Sequence, residues 1–168
     1  MTETEDRSFT HSLLRERIVE HVFVGDVLRT LWRPGVTDVE ILRTEFDARG
    51  YDLVMSRGAI VRHIQLKAQA AGKVSVASAL AEKPSGCVVW IGLNKETLEL
   101  GSFMWYGGSP GKPMPDISAH SNPKCVTHTA EGVRPLRKNN YILTPGAFTK
   151  LKTLDEVIVR LFGEVSVV

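Results

Sequence analysis

Gly50-Tyr51-Asp52-Leu53-Val54-Met55-Ser56-Arg57-Gly58-Ala59-Ile60-Val61-Arg62-His63-Ile64-Gln65-Leu66-Lys67 decides the fold. Two Val- and Ile-rich runs flank Ser56-Arg57-Gly58, whose glycine suits a tight turn, so the stretch reads as a β-hairpin. Side chains alternate along a strand, so Gln65 and Lys67, two residues apart, point the same way. A two-residue loop at Arg57-Gly58 sets Asp52 opposite His63. A loop two residues longer sets it opposite Gln65. Even shifts preserve the face, so either register keeps Asp52 with Gln65 and Lys67. The intervening Leu53, Ile64 and Leu66 are apolar.

A carboxylate, an amide oxygen and a lysine on one face suit phosphodiester hydrolysis. Oxygen ligands can hold Mg²⁺, which keeps several of its waters. The metal polarises the phosphate and lowers the pKa of a bound water, and a neighbouring lysine stabilises developing charge.

Working outward, residues 12–32 carry a helical pattern ended by Arg33-Pro34-Gly35. Leu14, Ile18, Val22, Gly25, Leu28 and Trp32 follow the 3.6 period expected of a buried face. A second stripe contains Leu13, Glu20, Val24, Val27 and Leu31, where Glu20 interrupts an apolar row and needs a metal or a partner such as Arg15 or Arg17. Residues 36–46 read as a strand, residues 74–83 as a helix closed by Pro84, residues 86–93 as a central strand covered on both faces, and residues 98–106 as another strand. Residues 107–140 form a long irregular excursion rich in Gly, Pro, Ser and Asn. A short strand at Tyr141-Ile142-Leu143 and a helix follow. The helix opens on the capping box Thr153-Leu154-Asp155-Glu156, with Glu156 reaching back to the cap, and ends near Gly163. The reading is one α/β domain over residues 1–168, with a core at 12–93 and an elaboration at 98–168.

Asp52, a twelve-residue spacer and Gln65-Leu66-Lys67 resemble the D-(x)n-(E/Q)xK signature of the PD-(D/E)xK, or restriction endonuclease-like, nuclease superfamily. The Gln variant resembles the Mrr branch of restriction-type nucleases more than the glutamate-bearing Holliday-junction resolvases, and the hairpin residues also resemble a group of uncharacterised bacterial proteins. The resemblance covers about half of the chain and implies an α-β-β-β-α-β core with a mixed sheet, which is the order read above for residues 12–93. It further implies a metal-dependent nuclease cleaving DNA, with Mg²⁺ or Mn²⁺ held by Asp52, Gln65 and the Leu66 carbonyl. Lys67 would assist the water, and Glu20 on the first helix would complete the shell, with Glu16 as its substitute. Glu45 and Asp47, just before the hairpin, are further candidate ligands. Compact nucleases of this kind are often homodimers because a duplex presents two strands, although no stretch of sequence marks an interface. Gln65 is the departure: a neutral amide weakens metal affinity. The rival reading is therefore a catalytically silent binding module of the same fold.

The 168 residues, 43% hydrophobic and 24% charged, suit a globular protein with a real core. The longest apolar runs, such as Cys87-Val88-Val89-Trp90-Ile91, fall far short of the ~20 residues of a membrane span. The acidic start Met1-Thr2-Glu3-Thr4-Glu5-Asp6 is unlike a secretory signal, and two cysteines without a CxxC pair suit a reducing compartment, so the expected location is cytoplasmic. A net charge of +2 confines any nucleic-acid surface to a local patch. Lys112, Lys124, Arg134, Arg137 and Lys138 are candidates for it. His120, Cys125 and His128 lack the fourth ligand of a structural zinc site. Gly107-Gly108-Ser109-Pro110-Gly111-Lys112 lacks phosphate-loop spacing. Cys87, Trp90, Trp105 and Tyr106 read as core, and His63 as a strand residue that shares the face of Gln65 and Lys67.

Overall fold

The structure is a computed structural model and describes residues 11–45, 49–68 and 72–165. In chain order the elements are α1 (Ser12–Trp32), β1 (Val39–Arg43), β2 (Leu53–Arg57), β3 (Ile60–Lys67), β4 (Val74–Ala77), α2 (Ser78–Ala81), β5 (Gly86–Leu93), β6 (Leu100–Gly107), β7 (Asn140–Leu143), β8 (Thr149–Leu151) and α3 (Leu154–Phe162). A six-stranded sheet runs β1-β2-β3-β5-β6-β8, and β4 and β7 form a second sheet of two strands. In the larger sheet β3 and β5 are parallel and the other neighbours antiparallel. The chain is thus α/β with a mixed central sheet, and the expected α-β-β-β-α-β order is present with β4 added before α2.

The hairpin is closed by Gly58 and Ala59, and the β2–β3 register pairs Arg57 with Ile60 and Leu53 with Ile64. This is the second of the two registers considered, with Asp52 next in line to Gln65. Gly58 has φ +57° while Ala59 stays at negative φ, the arrangement of a type II′ turn. One face of the sheet is covered by α1 and α3. Leu53, Met55, Ile64, Cys87, Val89, Ile91, Phe103 and Trp105 meet Val19, Phe23, Val27, Leu31, Val157 and Leu161 there. On the other face Val88, Trp90 and Tyr106 pack with Val74, Val76, Leu80, Met114, Ile117, Leu143 and Phe148. Continuous apolar β5 is buried on both faces, as its run of hydrophobic residues requires.

Four readings need correction. Residues 74–83 are not one helix: Val74 and Val76 alternate with Ser75, a period of two that fits the pairing of β4 with β7, and only Ser78–Ala81 is helical. The strand expected over 36–46 is described only as Val39–Arg43, and β8 carried no sequence signal because its three residues are held by pairing with β6. The Leu14–Ile18–Leu28–Trp32 stripe is exposed. The face that packs on the sheet contains Val19, Glu20, Phe23, Val24, Val27 and Leu31. Both stripes satisfy helical periodicity, and only the position of the sheet selects between them. The Thr153 hydroxyl accepts the Glu156 amide, but Glu156 Oε2 reaches the amide of Lys152, one residue before the cap. No helix among the described residues is long and apolar enough to cross a membrane.

Candidate active site

Where β1 ends, β2 begins and β3 ends, the sheet meets the N-terminal half of α1 and leaves a cleft of about 380 Å³. Glu16 and Glu20 from α1, Thr44 and Glu45 after β1, Asp52 before β2, and Leu66 and Lys67 at the end of β3 line it. Residues far apart in sequence therefore meet at one edge of the sheet. Asp47 lies outside the described residues.

Asp52 is fixed by backbone. Its Oδ2 accepts the Leu66 amide at 2.7 Å, its own amide donates to the Ile64 carbonyl at 2.9 Å, and the Thr44 hydroxyl donates to its carbonyl at 3.2 Å. A carboxylate held by an amide is a charge-assisted, directional contact, so its position is set before any ligand arrives. Lys67 is half-buried beside it.

Glu20 is only 6% exposed. It is met by two arginines: Arg17 Nη1 donates to Oε2 at 3.0 Å, and Arg43 Nε lies 3.4 Å from Oε1. The second approach is an ion pair without hydrogen-bond geometry, so Oε1 is buried with no hydrogen bond. Arg17 was a foreseeable partner at a spacing of three residues. Arg43 was not, because nothing in the sequence marks the tip of β1 as adjacent to the middle of α1. Arg43 also donates to Nε2 of His21, whose Nδ1 bonds the Arg17 carbonyl at 2.6 Å. A carbonyl only accepts, so His21 carries its proton on Nδ1.

Gln65 is not among the residues lining the cleft. It pairs with Val88 across β3–β5, is 7% exposed, and its Oε1 makes no hydrogen bond among the described residues. His63, two residues earlier, packs edge-on against Tyr51 with ring centroids 5.0 Å apart. Burial, and then the charge of Lys83, push its pKa below the usual histidine value. The structure thus brings Asp52, Lys67, Glu20, Glu16, Glu45 and Leu66 to one cleft and leaves Gln65 just outside it.

Elsewhere, His120 packs against Tyr106 and His128 bonds Arg134 Nε, so the two histidines are engaged separately. Lys112, Lys124, Arg134, Arg137 and Lys138 are all exposed on the 107–140 excursion.

No protein-family model and no curated protein sequence matches this chain. Among solved structures the chain is similar to Hjc, a Holliday junction resolvase from the hyperthermophile Archaeoglobus fulgidus, at 11% identity. That match has a TM-score of 0.40 and covers 75% of this chain and 88% of the resolvase.

Proposed function

We propose that the cleft hydrolyses phosphodiester bonds of DNA with Mg²⁺ or Mn²⁺. The observation that carries this reading is the meeting of Glu20 from α1, Asp52 from just before β2, and Leu66 and Lys67 from β3 in a single cleft. Among the described residues no three acidic, histidine or cysteine side chains gather into a ready-made metal site, so the fit to a hard cation rests on the oxygen donors of the cleft and on Oε1 of Glu20, which is buried with no hydrogen bond. Asp52, Glu20 and the carbonyl of Leu66 would hold the ion, with Glu45 as a weaker addition, while Gln65, the ligand expected from the sequence, lies outside the cleft lining. When bound, the ion would polarise the phosphate and acidify a water. Lys67 stabilises the charge that develops on the phosphate and orients the attacking water. Asp52 enters the reaction already aimed, because the Leu66 amide holds it. Arg17, which also lines the cleft, would offer the cation that a neighbouring phosphate needs once Glu20 turns from it.

The test compares native protein with Asp52→Asn and Lys67→Ala on supercoiled plasmid and single-stranded DNA in Mg²⁺ or Mn²⁺. An asparagine keeps an acceptor for the Leu66 amide, so Asp52→Asn should fold within about 1 kcal/mol of native stability while losing charge at the site. Metal-dependent nicking that falls at least ~100-fold in each variant supports the proposal. Nicking that survives in both places the activity elsewhere.

A second reading is favoured by two observations: Glu20 already has two arginine partners, and Gln65 is neutral and outside the cleft lining. On this reading the chain is a nuclease-fold binding module without catalysis. Titration with Mn²⁺ separates the two, because the module should show no millimolar or tighter site that depends on Asp52.

A further inference from the structure

The exposed face of α1 has a symmetry that its buried face lacks. Leu14, Ile18, His21, Gly25, Leu28 and Trp32 fall at spacings of 4-3-4-3-4, the repeat of a coiled-coil seam. That series reads the same in both directions. About its midpoint Leu14 corresponds to Trp32, Ile18 to Leu28 and His21 to Gly25. A two-fold interface must be self-complementary, with residue i meeting j and j meeting i. A palindromic seam meets that condition for two antiparallel copies of the same helix.

The shape agrees. Large residues stand at both ends of a stripe about 27 Å long, and the centre is low, because Gly25 has nothing within 4 Å of where a side chain would start. Glycine is a poor choice for an exposed helix interior, so its presence there calls for a reason. In antiparallel pairing it leaves room for the imidazole of the facing His21. Leu14, Ile18, Leu28 and Trp32 are 60%, 37%, 40% and 71% exposed, roughly 400 Å² of apolar surface, a size at which patches on monomers are often functional. Two copies would cover ~800 Å² of it, and the bordering polar groups would bring the total near ~1,200 Å², the lower end of specific interfaces. The flanking cations Arg17 and Arg29 are already paired with Glu20 and Asp26 in the same protomer, which limits repulsion across the seam.

We propose that α1 is a homodimer interface in which the helices of two copies cross antiparallel, Ile18 of each against Leu28 of the other and Gly25 of each against His21 of the other. The inference does not depend on the cleft's chemistry.

The test is sedimentation equilibrium of full-length native protein, Ile18→Lys, Leu28→Glu and the double variant, with circular dichroism to show that each is folded. Native protein should sediment at twice its 18.6 kDa mass. Each single charge should weaken self-association at least ~100-fold, and the double variant should recover it because the two introduced charges face each other. A native protein that stays monomeric up to about 100 μM overturns the proposal. Dimers that survive both single variants overturn it by placing the interface elsewhere. Singles that are monomeric without recovery in the double variant overturn the antiparallel pairing.

Discussion

Among the described residues, Arg62 takes a full charge into the core with no carboxylate paired to it. Its Nε donates to the Leu161 carbonyl at 2.9 Å, and Nη2 donates to the carbonyls of Arg160 and Gly108 at 2.6 and 3.0 Å. Its guanidinium carbon lies 5.3 Å from the Trp105 ring centre. Burial lowers its pKa, yet the partial negative charge at the C-terminus of α3 and the ring face suit a cation. Arg62→Leu should therefore destabilise the fold by about 3 kcal/mol in urea, because those carbonyls lose their donors. Cys87 is a contrasting case. Burial pushes its thiol from 9.0 up to about 12, so the folded state holds the proton more tightly than the unfolded chain. The resulting stabilisation is full below about pH 9 and is lost as pH rises toward about 12, at up to ~1.4 kcal/mol per unit. In Cys87→Ala the alkaline fall in stability should be shallower, and a matching slope in the two proteins would refute the assignment.

At the scale of elements, the hairpin depends on one backbone conformation. Gly58 at φ +57° has open space around it, so a side chain there meets no neighbour and suffers only from the left-handed backbone. Gly58→Val should destabilise by about 1–2 kcal/mol, measured by thermal melting, and a smaller loss would mean that the turn relaxes to another type. The hairpin was legible because its signal is local: alternating residues, a glycine, and a register limited to even shifts. The bounds of α1 were equally legible, from the apolar period and Arg33-Pro34-Gly35. Its buried face was not, since two stripes qualify and only the sheet beneath decides. β4 was missed because Ala77, Ser78, Ala79 and Ala81 outweigh two valines whose partners, Leu143 and Tyr141, lie 69 and 65 residues away.

Across the whole molecule, one sheet supports both apolar layers. Leu31 belongs to the layer under α1 and Leu80 to the layer under β4 and β7, and both are fully or nearly fully buried. Because β5 contributes to both layers, loss of either should be felt by the whole chain. Leu31→Ala and Leu80→Ala should each lower stability by about 2–5 kcal/mol. Each should still unfold in one transition, with tryptophan fluorescence and far-ultraviolet circular dichroism coincident. Separate midpoints would show that β4, α2 and β7 form an independent unit.

By itself the sequence determined what depends on neighbours along the chain: α1's extent, the hairpin, the shared face of Asp52 and Lys67, and the apolar run of β5. These follow from backbone periods of 3.6 and 2 and from turn chemistry, which need no partner. The tertiary structure alone decided what depends on distant segments. It placed Arg43 against Glu20, left Gln65 buried on β3 opposite Val88 rather than in the cleft lining, and turned the Leu14–Trp32 stripe outward. Those outcomes depend on how layers stack and where strands end, and no spacing along the chain encodes them.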